Sequence, residues 1–89
     1  MKNLNWQEKY ALGLKESLSI KEIMMLRDCG QPAATMIRDK SINYCIEHDI
    51  DYGSRLIPTA VVFKVTGLDL NYYYDKMLQE DKMHKLKEV

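Results

Sequence analysis

Four side chains between positions 31 and 40 are of the types that hold or read nucleic acid: Gln31, Thr35, Arg38 and Lys40. An arginine can donate two parallel hydrogen bonds to a guanine edge or one to a phosphate oxygen. Gln31 and Thr35, at the start of the same expected helix, can reach phosphates or bases beside the helix's first backbone amides. Arg55 follows in a separate polar stretch. The same residues also fit a solvated helix face on which Asp28 and Asp39 form ion pairs, an arrangement that contributes little energy at a surface.

Other chemistry is weaker. Cys45 and His48 stand three apart, a usable spacing for a pair of metal ligands, but a structural zinc site needs four. Cys29 and His84 are distant in sequence, so no metal site is expected and Cys45 is read as a core residue. Tyr72, Tyr73 and Tyr74 have the aromatic faces that stack on unpaired bases. On a helix, however, consecutive residues diverge by about 100°, so the three cannot form one platform. One of Tyr73 and Tyr74 is expected to pack inward with Leu70, Met77 and Leu78. The exposed remainder of Tyr72, Tyr73, Tyr74 and Met77 would then be a protein-interface patch, since aromatics and Met are enriched at interface centres. There is no phosphate loop, no glycine-rich dinucleotide turn and no HExxH motif, so neither an enzyme nor a cofactor is expected.

The elements that must position these residues follow from local signals. Residues 3–12 read as a first helix with Trp6, Tyr10 and Leu14, or Leu4 and Ala11, on its apolar side, frayed or ended by Gly13. Ser19 and Glu22 form a capping box, which starts a second helix at Ile20. Gly30 is expected to end that helix in the left-handed conformation, and Pro32 to open the next. Two short helices joined by a glycine turn make a helix-turn-helix, whose second helix, 32–47, would present Ala33, Ala34 and Thr35 at its start. Its inner side is read as Met36, Ile37, Lys40, Tyr44 and Cys45, with Ile42 and Ile46 nearby. Arg38, Asp39, Ser41 and Asn43 would lie outside.

Residues 49–57 break the helical period and are compatible with either a small two-stranded wing or an irregular loop. The run AVVFKVT is short and rich in valine, but Pro58 before it and Gly67 after it favour a helix over a strand. Asp69 is a suitable N-cap for a last helix, about 70–88. The sum is a mostly α, single domain spanning 1–89: a helix-turn-helix core of four to five helices with room for a minimal wing.

Composition sets bounds on function. With 89 residues, 46% of them hydrophobic and 29% charged, the chain belongs with folded globular proteins rather than disordered ones. No apolar run approaches the roughly 18 residues of a membrane span, so no membrane association is expected and the cytoplasm is the expected compartment. Two cysteines are too few for a disulfide framework. Thirteen basic residues balance thirteen acidic ones. Strong non-specific DNA affinity, which comes from phosphate neutralisation, is therefore not expected, whereas a few well-placed contacts can still sustain specific binding.

From Gly30 onward the features resemble a group of small proteins of integrative and conjugative elements, prophages and genomic islands, including excisionase-like winged helix-turn-helix proteins. The resemblance is carried by GQPAATMIRDK at 30–40, by the polar loop with Tyr52, Gly53 and Arg55, and by IPTAVVFKVTG at 57–67. It implies a DNA-binding accessory factor that bends or marks an attachment site for a recombinase, or represses a nearby promoter. Gln31, Thr35, Arg38 and Lys40 match its recognition-helix region, and Arg55 its loop or wing arginine. Double-stranded DNA is the implied partner, together with a recombinase or another element-encoded protein. The neutral charge and the long last helix depart from the pattern. They raise the alternative of a non-catalytic interaction module, monomeric or homodimeric, that binds a recombinase, a replication protein or a host factor.

Overall fold

The computed structural model describes residues 3–87, with side chains through residue 83. Within them lie five helices and one two-stranded sheet: α1 (Trp6–Gly13), β1 (Ser17–Leu18), α2 (Ile20–Arg27), α3 (Gln31–Glu47), β2 (Ile57–Pro58), α4 (Thr59–Thr66) and α5 (Leu70–Lys87). The expected mostly helical domain is present. Residue 88 and the side chain of His84 lie outside the described residues.

α1, α2 and α5 start at side-chain caps, whereas α3 and α4 begin without one. Asn5 and Glu8 form a reciprocal capping box, the Glu8 N–H donating to Asn5 Oδ1 at 2.8 Å and the Asn5 N–H to Glu8 Oε1 at 3.1 Å. That box sets the start of α1 at Trp6, three residues later than apolar periodicity places it. The anticipated Ser19–Glu22 box opens α2, with Glu22 N–H donating to Ser19 Oγ at 3.2 Å. Asp69 Oδ1 accepts from the Tyr72 N–H at 2.9 Å and opens the last helix. At the other end of α4, Gly67 takes φ 71°, a left-handed C-cap that frees Leu68 N–H to reach the Phe63 carbonyl.

The turn between α2 and α3 differs from expectation. Asp28, not Gly30, adopts the left-handed conformation (φ 50°, ψ 49°), while Gly30 is extended and serves as N-cap of α3. A short polar side chain tolerates this region where a bulkier one does not. Asp28 also has a tertiary use there. Its carboxylate pairs with Lys9, whose side chain is 6% exposed and whose Nζ also lies 4.3 Å from the Trp6 ring centroid.

The core joins α2, α3, α4, α5 and the sheet through Leu18, Ile23, Leu26, Ala34, Ile57, Val62 and Tyr73. The valine-rich α4 buries Val61 and Val62. Flanking Pro58 and Gly67 outweigh the β preference of its valines, as the punctuation implies. α1 lies against α5 so closely that a Cβ on Gly13 would stand 2.9 Å from Leu70 Cδ1 and 3.3 Å from Phe63 Cζ.

The phase of α3 is shifted from the expected one. Its buried stripe is Ala34, Ser41 and Cys45, whereas Met36 and Ile46 are 61% and 60% exposed and Lys40 is exposed. Small residues let α2 and α4 approach α3 closely, and a pattern search for large apolar side chains passes over them. Ser41 is compatible with full burial because its Oγ donates to the Ile37 carbonyl at 2.7 Å.

Residues 49–56 form a loop, and the two-stranded sheet does not lie within them. β1 and β2 pair antiparallel, Ser17 opposite Pro58 and Leu18 opposite Ile57, so the segment before α2 is joined to the segment after α3. Thr59 extends this joint: its N–H donates to the Glu16 carbonyl at 2.9 Å and its Oγ1 to the Lys15 carbonyl at 2.6 Å.

Glu22 gives the region a pH dependence. Burial raises its carboxyl, but the hydrogen bond from Lys15, the Ser19 backbone N–H and the Lys15 charge together hold it below its ordinary value of 4.5. A group whose pKa is depressed on folding contributes stability that is complete above its unfolded pKa and is lost as pH falls through the folded one. Thermal midpoints should therefore fall on acidification below about pH 4.5, with Glu22 contributing part of the slope. Glu22→Gln, which keeps a capping side chain but not the charge, should flatten that acid limb. Parallel midpoint-against-pH curves for the two proteins would contradict this role.

Candidate nucleic-acid interface

The loop at 48–56 ends in a tight turn in which the Gly53 N–H donates to the Leu56 carbonyl at 3.1 Å, leaving Ser54 and Arg55 at its tip. A Cβ on Gly53 would stand 3.3 Å from that same carbonyl oxygen. β2 starts directly after the turn, and β1 ends two residues before Ile20. Their pairing therefore sets the tip of the turn beside the first turn of α2. Between them opens a shallow cleft of about 330 Å³ lined by Ser19, Ile20, Lys21, Arg38, Ser54 and Arg55.

Arg38 and Arg55, seventeen positions apart in the sequence, thus meet at one site. Lys21 joins them from α2. No sequence pattern singles out Lys21 as a contact, because only the β1–β2 joint brings that helix start to the loop. Among the described residues no carboxylate lines the cleft. The ion pairs found, Lys9–Asp28 and Lys15–Glu22, involve none of its three cations. A neutral chain has thereby segregated positive charge locally, and such a cleft attracts anions irrespective of net charge.

The remaining expected contacts divide. At about 100° per residue, Gln31 and Thr35 fall within about 60° of Arg38 and continue its edge of α3 toward the helix start. Gln31 is exposed and Thr35 half-buried. Lys40 lies about 200° around the helix from Arg38 and does not belong with the cleft. The outward face of α3 is neither uniformly basic nor uniformly polar, carrying Pro32, Met36, Asp39, Asn43 and Glu47, with Lys40 about 20° from Glu47 around the helix.

The expected interface residues on α5 are largely engaged within the fold. Tyr73 is 1% exposed, so it belongs to the core rather than to any surface patch. Its phenol is pushed up by burial, against the pull of Arg27, and its hydroxyl has no hydrogen-bond partner among the described residues. Tyr72 meets Trp6 edge-on at 6.0 Å and Tyr74 lies 5.6 Å from Tyr10, yet they remain 37% and 42% exposed. Met77 is half-buried. The divergence of the three rings follows from helical geometry, and no shared stacking platform forms.

Cys45 is fully buried, which pushes its thiol up, and His48 instead stacks on Tyr44 at 4.2 Å. Among the described residues no three His, Cys, Asp or Glu side chains group as metal ligands. No helix there is long and apolar enough to cross a membrane. Comparison with known family models, with characterised proteins and with solved structures finds no match.

Proposed function

We propose that this chain is a non-catalytic, double-stranded DNA-binding protein with an accessory or regulatory role, of the excisionase-like or repressor-like kind that mobile genetic elements encode. The observation that supports it is the convergence of Arg38 and Arg55 with Lys21 on one carboxylate-free cleft, alongside the α2–turn–α3 pair. The mobile-element part of the reading rests on the resemblance over about 18–70, carried by the motifs between 30 and 67. Arg38 donates to a base edge or to a phosphate, and Gln31 and Thr35 extend the contact along the same edge of α3. Arg55 neutralises phosphate from the turn.

Gel shifts on duplex DNA, with salt varied, test this. Binding is expected at low salt and should weaken steadily as salt rises. Where Arg38 reads a base, Arg38→Ala should cost about 1–3 kcal/mol and relax preference at one position of the site. No shift at any salt would sink the proposal.

A second reading, an interaction module for a recombinase, another element-encoded protein or a second copy of the chain, is favoured by Tyr74 and Leu78. They stand four residues apart on α5, 42% and 41% exposed. A stable oligomer in light scattering that ignores duplex DNA would favour it over the first.

A further inference from the structure

Resting on the DNA reading, we infer that the Lys21–Arg38–Arg55 cleft clamps the phosphodiester backbone of a duplex, which crosses the edge of α3 rather than lying along that helix's outward face. Three separate elements each supply one cation to the cleft, and no described carboxylate competes for them there. Guanidinium groups bind phosphate oxygens through two parallel N–H bonds, and a lysine serves as a compact point charge beside them. Ser19 and Ser54 line the same cleft; the Ser19 hydroxyl already accepts the Glu22 N–H as the α2 cap, and Ser54 adds a polar side chain at the turn.

The outward face of α3 has the opposite character. Asp39 and Glu47 are exposed on it against one cation, Lys40, and Met36 stands one turn before Asp39. A helix seated by that face in the major groove would carry these carboxylates between two rows of phosphates, where like charges repel. The edge defined by Gln31, Thr35 and Arg38 avoids this and leads directly into the cleft. Backbone contact at the cleft therefore fixes the protein on DNA, and base contact is confined to the first half of α3.

The test is fluorescence anisotropy of the full chain on a panel of unrelated duplexes of about 20 base pairs, over a range of salt. Each phosphate contact contributes a slope of about −0.9 in log K against log salt. Lys21→Gln and Arg55→Gln should each remove one such increment. Each should also weaken binding about eightfold at 0.1 M salt, the factor that slope implies relative to 1 M, on every duplex alike. Both side chains are exposed and carry no ion pair among the described residues, so thermal midpoints should be unchanged. Asp39→Asn should leave affinity within about twofold, because its charge is turned away from the backbone.

Duplexes with neutral methylphosphonate linkages probe the same contact without altering the protein. They should bind more weakly and abolish the difference between the wild type and Lys21→Gln. A wild-type complex that is indifferent to Lys21→Gln and to the neutral linkages overturns the clamp and leaves the DNA reading standing. A large gain from Asp39→Asn puts the outward face on the duplex and overturns the edge geometry. Absence of wild-type binding to any duplex at low salt overturns the clamp and the DNA reading together.

Discussion

Tyr73→Ala should remove about 3–5 kcal/mol of stability, the range for deleting a large buried aromatic side chain. A chain of this length is held by roughly 0.05–0.15 kcal/mol per residue, so this one substitution consumes much of the total or all of it. The ring is 1% exposed and lies 5.8 Å from Phe63, 6.2 Å from Trp6 and 5.2 Å from Tyr72, joining α5 to α1 and α4. Tyr73→Phe should have no such cost. The hydroxyl is buried without a hydrogen-bond partner among the described residues, so its removal relieves desolvation and should hold stability or raise it by up to about 1 kcal/mol. Chemical denaturation of the two variants decides the matter. A loss of about 1 kcal/mol in Tyr73→Phe would show that the neighbouring Arg27 guanidinium bonds the hydroxyl in solution.

Asp28→Asn should destabilise the fold by about 2–3 kcal/mol, because it leaves the buried Lys9 ammonium without its countercharge. Breaking a fully buried pair costs about 3–5 kcal/mol, and the lower figure reflects the Asp28 side chain's 46% exposure to water. Asparagine is the informative replacement since it too tolerates the left-handed conformation, so the variant isolates charge from backbone strain. The Trp6 face offers Lys9 some compensation, of order 0.5–2 kcal/mol, which keeps the loss below complete unfolding. Combining Lys9→Met with Asp28→Asn should recover most of the stability, because an apolar side chain suits the site better than a stranded charge. A double variant no more stable than Asp28→Asn alone would mean that the pair is not the source of the loss.

Local signals in the sequence determined most of the secondary structure, and the reason is that caps and turn residues act over three or four positions. The Ser19–Glu22 box, Pro58, Gly67 and Asp69 each mark a helix end through a bond or dihedral preference within their own neighbourhood. The same locality explains the errors. The left-handed residue of the α2–α3 turn is Asp28, whose carboxylate pairs with a lysine nineteen positions earlier, and nothing near Gly30 reveals that. The inward stripe of α3 is built from Ala34, Ser41 and Cys45, since the close approach of other helices, absent from a one-helix pattern, selects small side chains over Met36 and Ile46.

The site divides in the same way. Arg38 and Lys40 are legible as candidate contacts from residue type and element and Arg55 from the resemblance, and linear spacing alone does not say which face of a helix is covered, so it does not separate Lys40 from Arg38. Lys21 carried no signal. Its place beside the two arginines depends on a pairing of two-residue strands, Ser17–Leu18 with Ile57–Pro58, separated by the whole of α2 and α3. Strands that short have no periodicity to read, and the bonds that hold them, Thr59 to the Lys15 and Glu16 carbonyls among them, exist only once the chain has closed on itself. Residue types supplied the charges, and tertiary closure gathered three of them, without a carboxylate, into one cleft.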